Sequence, residues 1–212
     1  MEDGSRRPPN FKEDQMEILS FAIPFAALVL LVIIAGALMN HYMNQRRFVF
    51  NLHFTYLLLP FIVLALYLVG GFSMWTVKGM ILACILLYAS VQDLSEHEAD
   101  DFLWVMLVIL SLVNFNAISI TSMVFGALGV FIPQMAVAMF TKKGGIGGAD
   151  IKLSTAAALS LGFYRSGIGY SIGLIFAIVF QTISSKRKRQ SLDEPFPLLP
   201  FLSTGLMIGY FI

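Results

Sequence analysis

Long apolar runs separated by short polar breaks dominate the chain. The runs are Ile18–Met39, Thr55–Phe72, Trp75–Ser90, Phe102–Phe115, Ala117–Phe140, Ile151–Tyr164, Gly167–Ile183 and Phe196–Ile212. They are near-continuous rather than alternating at period two, and most are too long for buried strands, so the pattern predicts helices. A helix needs about 20 apolar residues to cross a bilayer. The expected fold is therefore all-α: a polytopic membrane helix bundle of about eight transmembrane helices. Phe102–Phe115 spans only about 21 Å at 1.5 Å per residue, so it must thin the bilayer, extend into its loop or be shielded by neighbours. Small residues recur within runs, at Gly126 and Gly129 and at Gly167, Gly169 and Gly173, where they let membrane helices approach closely. Pro24, Pro60 and Pro133 fall mid-run and are expected to kink their helices. Residues 1–17 form a polar tail. Ile18–Met39 exceeds the 7–15-residue core of a secretory signal and is followed by Asn40 and His41, so it reads as a permanent first span.

Composition agrees and adds exclusions. The chain is 58% hydrophobic and 13% charged, with a mean hydropathy of +0.79; soluble domains carry about 25% charged residues. An ordinary cytosolic globule, a disordered chain and a nucleic-acid partner are excluded. The single cysteine, Cys84, rules out a disulfide framework and any Cys-based metal site. The net charge of +1 conceals an uneven distribution. Arg46, Arg47, Lys142, Lys143 and Lys186–Arg189 lie in alternate loops that share one side of an eight-span bundle. The positive-inside rule makes that side cytoplasmic and places both termini outside. Lys78 and Arg165 fall on the opposite side. The expected location is the cytoplasmic membrane, multi-pass. One cytoplasmic loop breaks the pattern: DLSEHEADD, from Asp93 to Asp101, has no Lys or Arg.

Two acids stand at the edges of apolar runs on that side. Asp93 closes the third span in LLYASVQDLSEHEADD, and Asp150 opens the sixth in TKKGGIGGADIKLS. A membrane-edge carboxylate is costly and marks a functional site by default. Two of them meeting in a cleft would share one proton, because neighbouring like charges cannot both ionise cheaply. Such a pair can activate water and protonate a leaving amine. Capping is the competing reading for Asp150, since an acid suits the first turn of a helix. It does not suit Asp93, because an acid in a last turn opposes the helix dipole. Gly144, Gly145, Gly147 and Gly148 could let an extended substrate lie against the backbone, or simply form a linker. Lys152 could pair with a carboxylate or snorkel to the interface.

The segment GGADIKL resembles the GxGD signature of the type IV prepilin peptidases, whose archaeal members process preflagellins and archaeal pilins and whose usual form is GGGDIKL. Ala149 stands where that form has Gly. The family's first aspartate ends a helix and is followed about seven residues later by Pro and then Asn or Asp; here Asp101 fits the second position and Asp100 replaces the proline. PFPLLPFLSTGLMIG is similar to the family's late segment. The resemblance covers about Trp75–Ile212. It implies a six-helix peptidase core over residues 74–212, with residues 18–73 as two additional N-terminal helices. It implies Asp93 and Asp150 as catalytic residues, Gly147, Gly148, Ala149 and Lys152 as their motif, and no metal or cofactor. The implied activity is that of a membrane aspartic endopeptidase that removes short basic leaders from pilin-like or preflagellin precursors at the cytoplasmic boundary. The bacterial CxxC insert is absent from this sequence, so the resemblance is to the compact, peptidase-only type. Glu96, Glu98, Asp100 and Asp101 would then attract the basic leader, or form no more than a solvated turn; His97 reads as a surface residue. A small ion- or proton-coupled transporter using the same carboxylates is the alternative, although both acids lie at one membrane side rather than near the midplane.

Overall fold

A computed structural model describes residues 11–45, 53–113, 118–140, 146–188 and 196–212. Arg46, Arg47, Lys142, Lys143, Gly144, Gly145 and Arg189 lie outside the described residues. Eight helices follow one another: α1 Phe11–Gln45, α2 His53–Gly70, α3 Met74–Glu96, α4 Asp101–Leu112, α5 Ile120–Phe140, α6 Gly148–Leu161, α7 Phe163–Lys188 and α8 Leu199–Phe211. No strand occurs among the described residues. Of these helices α3, α5 and α7 are long and apolar enough to cross a membrane, and α1, α2, α4 and α8 hold shorter apolar stretches.

The main core is built from α1, α2, α3, α4, α6 and α8, with Leu66, Leu82, Leu86, Leu107, Leu153 and Leu206 fully enclosed. The two N-terminal helices pack here through Leu28, Val32, Leu59 and Val63. Other faces leave large apolar side chains uncovered: Phe125, Ile132 and Phe140 on α5, and Ile175, Ile178 and Phe180 on α7. Exposed apolar faces of this extent need a non-aqueous surrounding, which the hydrocarbon of a bilayer provides. α6 is the opposite case. Its small residues Ala156, Ala157 and Ala158 are buried among neighbouring helices, so its Ser and Thr residues meet protein rather than lipid.

α7 and α8 pack most closely, through glycine. A Cβ on Gly169 would come within 2.7 Å of the Gly205 carbonyl oxygen, and one on Gly173 within 2.9 Å of Leu202 Cα. Gly167 faces open space and takes no part in this contact.

Several boundaries differ from the pattern of apolar runs. α1 begins at Phe11, inside the stretch expected to be a polar tail, and runs past Met39 to Gln45, because polar residues propagate a helix that its apolar stretch anchors. α3 continues past Ser90 to Glu96, because helical geometry does not stop where hydropathy falls. It ends at His97, whose φ of 54° is left-handed. The break between α6 and α7 lies at Gly162, upstream of the predicted Tyr164–Gly167 division. Gly162 has φ 79°, which glycine adopts without penalty. The next amide, Phe163 N, donates to Ser122 Oγ at 3.0 Å. Gly126 of α5 packs on this turn, with an added Cβ only 2.7 Å from the Gly162 carbonyl carbon. Finally, α8 begins at Leu199, with Pro200 in its first turn, where proline's missing N–H costs nothing.

Candidate active site

Asp93 lies in the last turn of α3, and its side chain is 6% exposed. Its backbone oxygen accepts from His97 N at 3.0 Å, closing the helix. Its carboxylate reaches across the fold: Oδ2 accepts from Leu199 N, the first amide of α8, at 3.0 Å. The unfavourable position of an acid at its own helix C-terminus is thus offset by the N-terminus of another helix, where an acid is favoured. The preceding residue, Gln92, is buried and also used. Its Oε1 accepts from Asp100 N at 3.0 Å and holds the start of α4.

Asp150 is the third residue of α6 and is 8% exposed. Its Oδ2 accepts from Gly147 N at 3.2 Å, the side-chain half of a capping box. Capping and membership of a carboxylate cluster are therefore compatible at this position. A Cβ on Gly147 would stand 3.1 Å from Asp150 Oδ2, so a side chain there would crowd the carboxyl group. Gly148 faces open space, and Ala149 sits within the first helical turn. Behind the carboxyl group, Ser154 Oγ donates to the Asp150 carbonyl at 2.6 Å and accepts from Gln134 Nε2 at 2.7 Å. Gln134 is fully buried, and this tie fixes the start of α6 against α5.

Four helix ends converge here. The C-terminus of α3 touches the N-termini of α8, through Asp93, and of α4, through Gln92. Lys152 of α6 joins Asp101 of α4 in an ion pair at 2.7 Å. Of the two readings open for Lys152, the structure adopts carboxylate pairing; the ammonium group holds the exposed Asp101 carboxyl below the usual carboxylate range. Asp93 and Asp150 lie close enough for their charges to act on one another. Two carboxyl groups so placed, both largely out of water, are harder to ionise together than apart.

The remaining acids differ in availability. Glu96 and Glu98 are exposed beside Asp93, Asp100 is half-buried, and Asp101 is exposed but paired. His97 is exposed. Sequence reasoning missed Gln92, Gln134 and the Leu199 amide. Each Gln had a signal, being a lone amide inside an apolar helix, one beside Asp93 and one after Pro133. The Leu199 amide had none, because a backbone N–H leaves no mark in sequence.

No curated protein and no solved structure matches the chain. The model of the type IV leader peptidase family does match, over residues 80–185. That stretch runs from α3 to α7 and contains both buried aspartates, GGADIKL and the acidic loop. The GGADIKL resemblance, the bilayer-facing helices and this match agree: the chain is a membrane protease and belongs to the type IV leader peptidase family.

Proposed function

We propose that Asp93 and Asp150 are the catalytic pair of an aspartic endopeptidase that removes short basic leaders from pilin-like or preflagellin precursors at the cytoplasmic membrane boundary. The observation that carries this reading is that two buried carboxyl groups lie within reach of each other's charge where four helix ends converge. The ionised carboxylate takes a proton from a water molecule as the water oxygen bonds to the scissile carbonyl carbon. The protonated partner then gives its proton to the departing amine as the C–N bond breaks. The two groups exchange protonation states in one turnover, and proton exchange with solvent resets them. Three helix N-termini around the pair favour the negative charge it carries.

All eight helices are assigned to the membrane, with residues 74–212 as the peptidase core and α1–α2 as an addition. The end bearing the aspartates faces the cytoplasm and both termini lie outside, as the basic loops indicate. Glu96 and Glu98, exposed and beside Asp93, attract the leader; Asp101 contributes less because Lys152 occupies it. The test is cleavage of a pilin-like or preflagellin precursor in membranes. Asp93→Asn and Asp150→Asn should each lower the rate by about 10²–10⁴-fold while leaving the protein inserted and folded. Wild-type cleavage by either variant rejects the pair.

A further inference from the structure

The end of the bundle opposite the aspartates holds a second polar site. A cavity of about 560 Å³ is lined by Trp75 and Lys78 of α3, Ser119 and Ser122 before and in α5, Arg165 of α7 and Tyr210 of α8, among others. Lys78 lies about four helical turns from Asp93, roughly 22 Å at 1.5 Å per residue. Its position is unusual for a cation. Lys78 is only 4% exposed, and no lining residue is acidic. Among the described residues neither Lys78 nor Arg165 has an ion-pair partner, and the Arg165 charge bears on Lys78. Two like charges share the pocket where an opposite one belongs, and a buried cation without a counter-charge is costly.

The wall of this pocket is ordered rather than makeshift. Tyr210 Oη donates to the Trp75 carbonyl at 2.6 Å, and the two rings stack with centroids 4.8 Å apart. Ser122 Oγ is held by Phe163 N. Ser119 and Ser122 also line a second, adjoining cavity of about 460 Å³, whose other walls are Thr121, Phe125 and Phe163. A cationic chamber thus opens onto an apolar groove on the outer face of α5. Trp75, Tyr164 and Tyr210 around the chamber are the side chains that favour the membrane–water interface.

We propose that this chamber binds a phosphate-type anion, with an anionic phospholipid as its occupant: the head-group phosphate between Lys78 and Arg165, and an acyl chain along Phe125 and Phe163. Free phosphate offers the same anion without the chain, so the test carries both. The full-length protein is purified in a neutral detergent and its thermal unfolding followed with added phosphatidylglycerol, phosphatidylcholine or inorganic phosphate. Bound lipid is counted by native mass spectrometry. Phosphatidylglycerol should raise Tm by about 5 °C over phosphatidylcholine near saturation, with one lipid retained per chain. Lys78→Met and Arg165→Gln should each abolish both the rise and the retained lipid. Lys78→Met should also unfold at no lower temperature than the wild type without lipid, since it removes an unpaired buried charge. Stabilisation by inorganic phosphate equal to that by phosphatidylglycerol, lost in the same variants, would keep the anion site and overturn the lipid as its occupant. No anion effect, or an effect unchanged in both variants, overturns the site. Because neither residue belongs to the aspartate end, this outcome is independent of whether Asp93 and Asp150 cleave leaders.

Discussion

Replacing one glycine in α8 should damage both stability and the distant carboxylate, and replacing another in α7 should not. A Cβ on Gly205 would lie 2.6 Å from Gly173 Cα and press on the Gly169 carbonyl oxygen. Ordinary contact begins at 3.4 Å, so α7 and α8 must separate by on the order of 1 Å. The obstructing atoms are backbone, with no side chain free to swing aside. Overpacking of this kind costs about 1–3 kcal/mol, and the better helix propensity of Ala returns up to about 1 kcal/mol. The net loss for Gly205→Ala is about 1–2 kcal/mol, or roughly 2–8 °C in Tm for a chain of this size. Gly167→Ala meets nothing within 4 Å and should keep or slightly raise Tm. The second readout is leader cleavage. α8 carries the Leu199 amide that binds Asp93, and a misplacement of about 1 Å near the reacting groups costs on the order of 10²-fold in rate. Thermal unfolding in detergent and cleavage in vesicles should therefore separate the two variants in the same direction. Equal Tm and equal cleavage for Gly205→Ala and Gly167→Ala would refute the claim that glycine contact between α7 and α8 sets the position of α8.

Other consequences are simpler to check. Ser154→Ala should cost about 1–3 kcal/mol, because it removes the hydroxyl that accepts from the buried Gln134 amide; adding Gln134→Leu should recover part of that loss in a double-mutant cycle of unfolding free energies. Glu96→Gln with Glu98→Gln should lower kcat/KM about tenfold for strongly basic leaders in low salt, and the deficit should shrink near 0.5 M salt. An equal effect on neutral leaders would remove the steering role. Asp101→Asn should unfold below wild type at pH 7. The two should converge in acid, because a carboxyl group held low by Lys152 contributes above its usual range and loses that contribution as pH falls through the lowered value.

Much of the architecture was legible in hydropathy, because each helix buries or exposes apolar surface along its whole length. Where that signal fails, the cause is local. Phe163 and Tyr164 are as apolar as the residues before them, so the turn at Gly162 is hidden in hydropathy and shows only in backbone dihedrals. Lys78 reads as an outside-facing charge by position, yet it is buried, since burial depends on what α7 and α8 bring alongside. The aspartates were legible as out-of-place charges, but the reason Asp93 tolerates a helix C-terminus was not: its compensating amide belongs to a helix 106 residues further on. Lys152 left two readings open because its partner, Asp101, sits on a different helix.

That reach between Asp93 and Leu199 also orders events in time. Ribosomes add about 5–20 residues per second, so Asp93 is made roughly 5–20 s before the amide that seats it. Asp150 follows about midway, so both carboxyl groups exist in the nascent chain only through roughly the second half of that interval. The family-matched stretch ends at residue 185, before α8 begins, so the amide that seats Asp93 comes from outside that stretch. A chain halted before α8 would therefore carry both aspartates with Asp93 still lacking the amide that seats it.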